Sequence, residues 1–413
     1  MRKVLMIAFH YPPCGGGSGI HRTLKFARYL PEYGWQPTVL TAHSRAYSNV
    51  ERSGEILPKV VVERAFAFDT ARQFSIRGRY SRIMALPDPW VSWWVGALWS
   101  GLRIVRKYRP DVLWSTYPIA TAHLIGFTLH RVTGLPWVVD FRDSMTEQNY
   151  PRDEWVRASY LWVEKRCLRF GSRLVFTAPS TLEMYCNRYP ALPAKRCILI
   201  PNGYDEEDFM GLDASKTKKV VDGQAVRILH AGLIYRDDRD PRAFFNALSR
   251  LKAEGKICRA TLRIDLRASG SEAYYTDLIA QLRIDDIVRL LPALPHRKAI
   301  EDCGEADALL LFQAASCNHQ IPAKVYEYLR LRKPILALTS PRGDTAALLN
   351  RVRGATILDL ADEAGQYRWI PKFLNSIRNG THELPDPGQV DGYARRHQAF
   401  QLAECLSESV SSE

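Results

Sequence analysis

Short apolar runs alternate with amphipathic stretches along almost the whole chain. Lys3–Ala8, Gln36–Thr41, Pro110–Thr116, Pro136–Asp140 and Arg173–Thr177 are brief and rich in Val, Leu and Ile, as parallel strands covered on both faces are. Between them, Ile20–Leu30, Trp90–Tyr108, Ala120–Thr133, Trp155–Phe170 and Ser180–Arg188 carry apolar residues at helical spacing. Val60–Ala65 reads as one further strand inside a polar, basic stretch, 44–88, whose weak periodicity predicts little else. The alternation resumes at Val226–His230. It continues through strands at Thr261–Leu266, Ile287–Leu291, Ala308–Phe312, Ile335–Leu338 and Ala355–Leu360, with helices at Asp240–Leu251, Glu272–Leu282, Arg297–Cys303 and Ala323–Leu331. Gly392–Leu406 is a closing helix. Repeated βα units on both sides of the polar segment EEDFMGLDASKTKKVVDGQ predict two doubly wound α/β domains joined by a linker.

A chain of 413 residues suits two cores better than one. The predicted boundaries are residues 1–205, a linker at 206–225, a second domain at 226–390, and a crossing helix and tail at 391–413. No run of about 18 uncharged apolar residues appears, which argues against a transmembrane helix. The opening MRKVLMIAFHYPP has an apolar stretch of only Val4–Phe9 followed by glycines, so it reads as a first strand rather than a signal peptide. The eight cysteines contain no C-x-x-C pair and share no spacing with histidines, which fits a reducing compartment and no metal site. A cytoplasmic location is expected.

The net charge of +13 is uneven. Residues 1–200 hold 28 Lys+Arg against 14 Asp+Glu, a net +14, and the remainder nets −1. Arg77, Arg79 and Arg82 form one basic cluster; Arg103, Arg106, Lys107 and Arg109 form another. Such patches attract anionic lipid, phosphorylated substrates or nucleic acid, and no zinc-finger or RNP-like motif favours the last. Trp90, Trp93, Trp94 and Ala97 share a helical stripe with cations at the far end of the helix. Core packing is the favoured reading of that stripe, with a membrane-interface contact as the alternative.

Anion chemistry clusters at three strand ends. Pro322 suits a first helical position, and the helix behind it offers free N–H groups and a positive dipole end to an anion. Lys324 there would meet phosphate, and Glu327, one turn on, sugar hydroxyls. The bland alternative is an amphipathic helix with solvated charges. Gly15, Gly16 and Gly17 follow the first strand without the G-x-G-x-x-G spacing, and they read as a loop with no Cβ in a ligand's way. Gly232 ends the first strand of the second domain ahead of a basic loop holding Arg236 and Arg239. Guanidinium groups match diphosphate oxygens, although an exposed loop of self-paired charges is the alternative. Finally, Asp140-Phe141-Arg142-Asp143 falls beyond a strand C-terminus, where open α/β sheets gather ligands. A structural Arg–Asp pair in that loop is the competing reading.

The G-G-G loop, D-F-R-D, I-P-N-G-x-D, H-A-G-x-x-Y…R-D-P and P-A-K-x-x-E-Y-L, in that order, resemble the GT-B glycosyltransferases of the retaining GT4-like branch that builds bacterial surface polysaccharides. The resemblance implies two Rossmann-like domains facing a cleft, the last helix crossing back to the first. It implies transfer of a sugar from a nucleoside-diphosphate sugar, UDP- or GDP-linked, to a hydroxyl of a glycan or lipid-linked acceptor, with retention and without metal or other cofactor. Donor contacts carry over to Gly15, Gly16, Gly17, Gly232, Arg236, Arg239, His319, Lys324 and Glu327, with Glu327 on the ribose. Arg239 and Lys324 would stabilise the departing diphosphate. Asp143 is assigned to acceptor or sugar hydroxyls and Arg142 to an anionic group. Two departures stand out: His319 replaces the family's first glutamate, and Leu233 replaces a basic residue after the glycine. The rival readings are a sugar-nucleotide 2-epimerase of the same layout and a non-catalytic nucleotide-binding scaffold. The expected surroundings are the cytoplasm, with an anionic membrane surface as a partner of the basic half and nucleic acid excluded.

Overall fold

The computed structural model describes residues 1–15, 19–50, 57–73, 75, 80–148, 150–212, 223–236 and 239–411. These fall into two compact units, Met1–Asn202 with Arg395–Glu413, and Gly203–Ala394.

The first unit is a parallel sheet with the order β3-β2-β1-β4-β5-β6-β7. Its strands are β1 (Arg2–Ile7), β2 (Trp35–Ala42), β3 (Val61–Ala65), β4 (Val112–Thr116), β5 (Trp137–Arg142), β6 (Arg173–Phe176) and β7 (Cys197–Leu199). Its helices are α1 (Gly19–Tyr29), α2 (Thr70–Gln73), α3 (Ser92–Tyr108), α4 (Ala120–Thr133), α5 (Glu154–Phe170) and α6 (Pro179–Arg188). Alternate residues of β1 enter opposite cores. Leu5 and Ile7 join Trp93, Ala97, Ile125, Leu129 and Val163 of α3–α5, whereas Val4 and Met6 join Leu24 and Phe26 of α1 and Leu402 and Leu406 of the C-terminal helix. Both faces are therefore covered, which is why the strands are apolar almost throughout.

The second unit repeats the plan with the order β10-β9-β8-β11-β12-β13. Its strands are β8 (Val226–Ala231), β9 (Leu262–Arg267), β10 (Val288–Leu291), β11 (Ala308–Phe312), β12 (Ile335–Leu338) and β13 (Ala355–Leu358). Its helices are α7 (Arg242–Ala253), α8 (Glu272–Gln281), α9 (His296–Glu305), α10 (Ala323–Arg330), α11 (Asp344–Val352), α12 (Glu363–Arg378) and α13 (Pro387–Val390). The last helix, α14 (Arg395–Ser411), belongs to the first unit, where Leu402 and Leu406 bury beside α1. In each sheet the order reverses between the first strand and its inward neighbour, β1/β4 and β8/β11, and ligands bind beyond strand ends at such points.

Three expectations change and one holds. The segment at 206–209 is not free linker: it forms a 3₁₀ turn with Phe209 buried, and Arg330 pairs with Glu206 at 2.8 Å. Strand β5 runs two residues beyond Asp140, so Phe141 and Arg142 are sheet residues. Helices α11 and α12 were not foreseen. Of the tryptophan stripe, Trp93 and Ala97 are fully buried, as core packing requires, while Trp99 on the opposite face is 71% exposed. Arg77, Arg79 and half of the proposed linker, residues 213–222, lie outside the described residues.

Candidate active site

In the second unit the end of β8 meets the start of α10. Gly232 has φ 112°, a region that strains any residue with a Cβ. A Cβ there would stand 2.7 Å from Lys324 Nζ, so the glycine leaves the room that the lysine fills. Lys324 is the second residue of α10, and Pro322 precedes the helix, supplying a fixed φ where no N–H is needed. The helix dipole and Lys324 thus present positive charge together.

His230 backs the lysine. Its ring is fully buried, with Nδ1 2.8 Å from Leu310 O. A carbonyl only accepts, so Nδ1 carries the proton and Nε2 is left as an acceptor, 3.4 Å from Lys324 Nζ. Burial, and then the lysine's charge, holds the His230 pKa well below its ordinary value. Lys324 is lowered to about 7, first by burial and then by the charge of Arg239, with Glu327 pulling the other way. Arg239 closes its loop by donating from Nη1 to Leu233 O at 3.0 Å. Tyr328 Oη accepts from Ala231 N at 3.0 Å, tying the strand end to the middle of α10.

The remaining predicted donor residues divide. Glu327 lies half-buried one turn after Lys324, in a hollow shared with Cys303 and His296, and its Oε1 is 3.6 Å from His296 Nε2. Arg239 and Lys324 are brought together, but Arg236 is exposed and stacked 3.9 Å over the Tyr274 ring. His319 sits in the loop before α10, its Nε2 3.5 Å from Gln320 Nε2. Gln313 Nε2 pins that loop by donating to Cys317 O and Gln320 O, both at 2.8 Å. Gly15 is buried and donates to Asn49 O at 2.9 Å; Gly16 and Gly17 lie outside the described residues.

The D-F-R-D run of the first unit is built differently from a local Arg–Asp pair. Asp140 is fully buried and accepts from Arg22 Nε at 2.8 Å and Nη2 at 3.0 Å, and from Thr116 Oγ1 at 2.9 Å. Arg22 also donates to Ile200 O and Pro201 O, at 3.0 Å each. The structural pair is thus Arg22–Asp140, 118 positions apart. Arg142 closes β5, buried, in left-handed backbone with φ 56°. Asp143 follows, partly exposed, and its charge acts on both Arg142 and Tyr117.

Sequence reasoning missed His230, Arg22 and His10. His230 lay inside the quoted H-A-G run, and His10 directly follows a strand at a switch point; both positions signal a ligand-facing strand end. Arg22 left no local signal. Among the described residues no group of three or more His, Cys, Asp or Glu could hold a metal ion.

Residues 17–203 match a family model described as a glycosyl transferase 4-like domain. No curated protein sequence matches the chain. Solved structures superpose along its whole length. Sucrose-phosphate synthase from Thermosynechococcus elongatus does so with TM-score 0.69 and 14% identity, over 100% of both chains. HepE of Anabaena, in complex with UDP, gives 0.67 and 13%, over 99% of this chain and 100% of its own. An α,α-trehalose-phosphate synthase (UDP-forming) from Burkholderia xenovorans, in complex with glucose-6-phosphate, gives 0.66 and 13%, over 98% and 100%. At these identities the likeness is one of fold.

Proposed function

We propose, from a chain that carries a glycosyl transferase 4-like domain at residues 17–203 and has the GT-B fold, that this protein moves a sugar from a nucleoside-diphosphate sugar to a hydroxyl acceptor. One observation carries the reading: Lys324 stands at the first turn of α10 against Gly232 and His230, with Arg239 close enough to lower its pKa. Two cations and a helix N-terminus converge on one spot. That is an arrangement for a diphosphate, the group whose charge grows as the sugar leaves. The donor is UDP- or GDP-linked, and HepE, a protein of the same fold, binds UDP. Glu327 holds the ribose, Gly15 and its neighbours approach the phosphates, and Asp143 contacts the hydroxyl of a glycan or lipid-linked acceptor. The sugar is transferred with retention and without a metal, the fixed cations supplying the positive charge.

A place at an anionic membrane surface, in polysaccharide or glycolipid synthesis, belongs to the same reading. No helix among the described residues is long and apolar enough to cross a membrane. On α3, however, Val95, Trp99, Arg103 and Arg106 form one exposed stripe, apolar at one end and cationic at the other. That order suits a bilayer interface, with Trp in the headgroup layer and Arg on anionic lipid.

Incubation with a panel of UDP-, GDP- and ADP-sugars plus a lipid-linked acceptor tests the assignment. Release of nucleoside diphosphate with glycosylated acceptor is the expected result. A changed sugar without release would make the protein an epimerase, and binding with neither would make it a scaffold. The epimerase is disfavoured because His230, buried and neutral with both ring nitrogens engaged, is not free to abstract a proton.

A further inference from the structure

The first unit holds a second cationic centre. Arg142 is 6% exposed, and among the described residues its side chain makes one hydrogen bond, from Nη1 to Tyr117 O at 3.3 Å. Its Nε is buried without a partner. Among the described residues no carboxylate lies within ion-pair distance of it: Asp140 is engaged by Arg22, and Asp143 and Asp140 act on it only through their charge. Five donors around a buried charge with one acceptor is an incomplete arrangement, since buried charges are ordinarily paired and buried donors satisfied.

The guanidinium is aimed at the first turn of α1, an 11-residue helix. A Cβ on Gly19 would lie 3.3 Å from Arg142 Nη1 and 3.3 Å from His10 Nδ1, so both side chains flank that helix start. His10 follows β1, Tyr117 follows β4, and Arg142 ends β5. The three meet at the switch point of the sheet, on its ligand-binding edge. His10 is neutral near pH 7, its pKa lowered to about 4 by burial and then by Arg142. A neutral imidazole still offers one hydrogen bond, and an anion beside it would favour its protonated form.

We propose that Arg142, His10 and the N-terminus of α1 bind an oxyanion, a phosphate or carboxylate carried by the acceptor itself. The identification with an acceptor rests on the transferase reading; the anion site rests on the geometry alone. The same oxyanion chemistry could come from the donor's diphosphate, and the experiment separates the two sources.

Equilibrium dialysis of radiolabelled inorganic phosphate at pH 7, with and without saturating UDP, is run on the wild type, Arg142→Gln, Arg142→Lys and His10→Gln. The expected result is phosphate that stays bound in the presence of UDP. Its affinity falls about tenfold or more in Arg142→Gln, as loss of a charged hydrogen-bonding partner implies, and less in Arg142→Lys and His10→Gln. UDP affinity should change less than about twofold in all three variants, the scatter of a substitution that shares no partner with the ligand. Displacement of all phosphate by UDP, together with weaker UDP binding in Arg142→Gln, would assign the site to the donor and overturn the acceptor assignment. Absence of bound phosphate in the wild type, displacement of all phosphate by UDP with UDP affinity unchanged in Arg142→Gln, or equal phosphate binding in wild type and Arg142→Gln, would overturn the site. Should Arg142→Gln fail to fold, Arg142→Lys and His10→Gln carry the same comparison. Wild-type protein that binds phosphate but not UDP would count against the transferase reading and leave the anion site standing.

Discussion

Nζ of Lys324 lies 3.4 Å from Nε2 of His230, and the imidazole cannot neutralise it, because Nδ1 of the same ring is committed to Leu310 O. The lysine therefore waits for its counterion, with a pKa near 7. Nucleotide affinity should be highest below pH 7, where the ammonium is already charged. Above pH 7, binding must draw a proton from solvent, so UDP affinity falls with rising pH. Calorimetry at pH 8 in buffers of different ionisation heat should find close to one proton taken up per UDP. Lys324→Arg should bind without that uptake, and Lys324→Met should weaken UDP about tenfold or more at pH 6, where the charge is otherwise present. Equal proton uptake in wild type and Lys324→Met would exclude the lysine as the titrating group.

The same shift has a consequence for stability. Folding lowers the Lys324 pKa from 10.5 to about 7, so between those values the unfolded chain binds more protons than the folded one. Stability of the unliganded protein should therefore gain a contribution that rises with pH across that window. Urea unfolding of wild type and Lys324→Met at pH 7 and pH 9 measures it: the wild type gains more on going to pH 9 than the variant does.

Gly232→Ala combines two penalties. The residue holds φ 112°, and a methyl group would stand 2.7 Å from Lys324 Nζ. Destabilisation of about 1–3 kcal/mol is expected from the backbone alone. Displacement of the lysine should also weaken UDP by more than Glu327→Ala does. Glu327 is half-buried, so its removal should lower nucleotide affinity while the melting temperature stays near that of the wild type. An unchanged UDP dissociation constant in both variants would remove α10 from the site.

How much of this was legible follows from distance along the chain. The strands were readable because parallel strands covered on both faces are continuous apolar runs, and the Gly232, Arg239, Lys324 group because each residue sits at a strand or helix end. Helix α12 hid behind Pro371 in its interior, and α11 behind its nine-residue length. D-F-R-D suggested a pair between neighbours, but the buried partner of Asp140 is Arg22, on α1. Likewise His230 takes its tautomer from Leu310, 80 residues away. Local patterning reports which face of an element is buried; it does not name the polar group waiting on the other side of the sheet.

Trp99 is the sharpest test of the membrane contact, because it is 71% exposed and on the face of α3 opposite the core. Trp99→Ser should leave the melting temperature within about 1 °C, as a surface change does. It should still reduce co-flotation with anionic vesicles at low salt, and Arg106→Gln should do the same in a salt-dependent way. Neutral phosphatidylcholine vesicles should not carry the wild type upward. If wild type and both variants all stay at the bottom of the gradient with anionic vesicles, the exposed stripe is no bilayer contact.

Arg22 and Asp140 form an ion pair with both side chains fully buried. Removing one member strands the other, so Arg22→Met or Asp140→Asn should each destabilise the first unit by about 3–5 kcal/mol. Arg22→Met adds a second loss, because its guanidinium also satisfies Ile200 O and Pro201 O where the first unit ends at Asn202. The double variant should be less destabilised than the two single changes sum to, since no charge is left alone. Thermal unfolding of the three variants, read by circular dichroism, measures the coupling. Simple additivity would mean that water reaches the pair, and Asp140 would then have to be reconsidered as a group open to substrate.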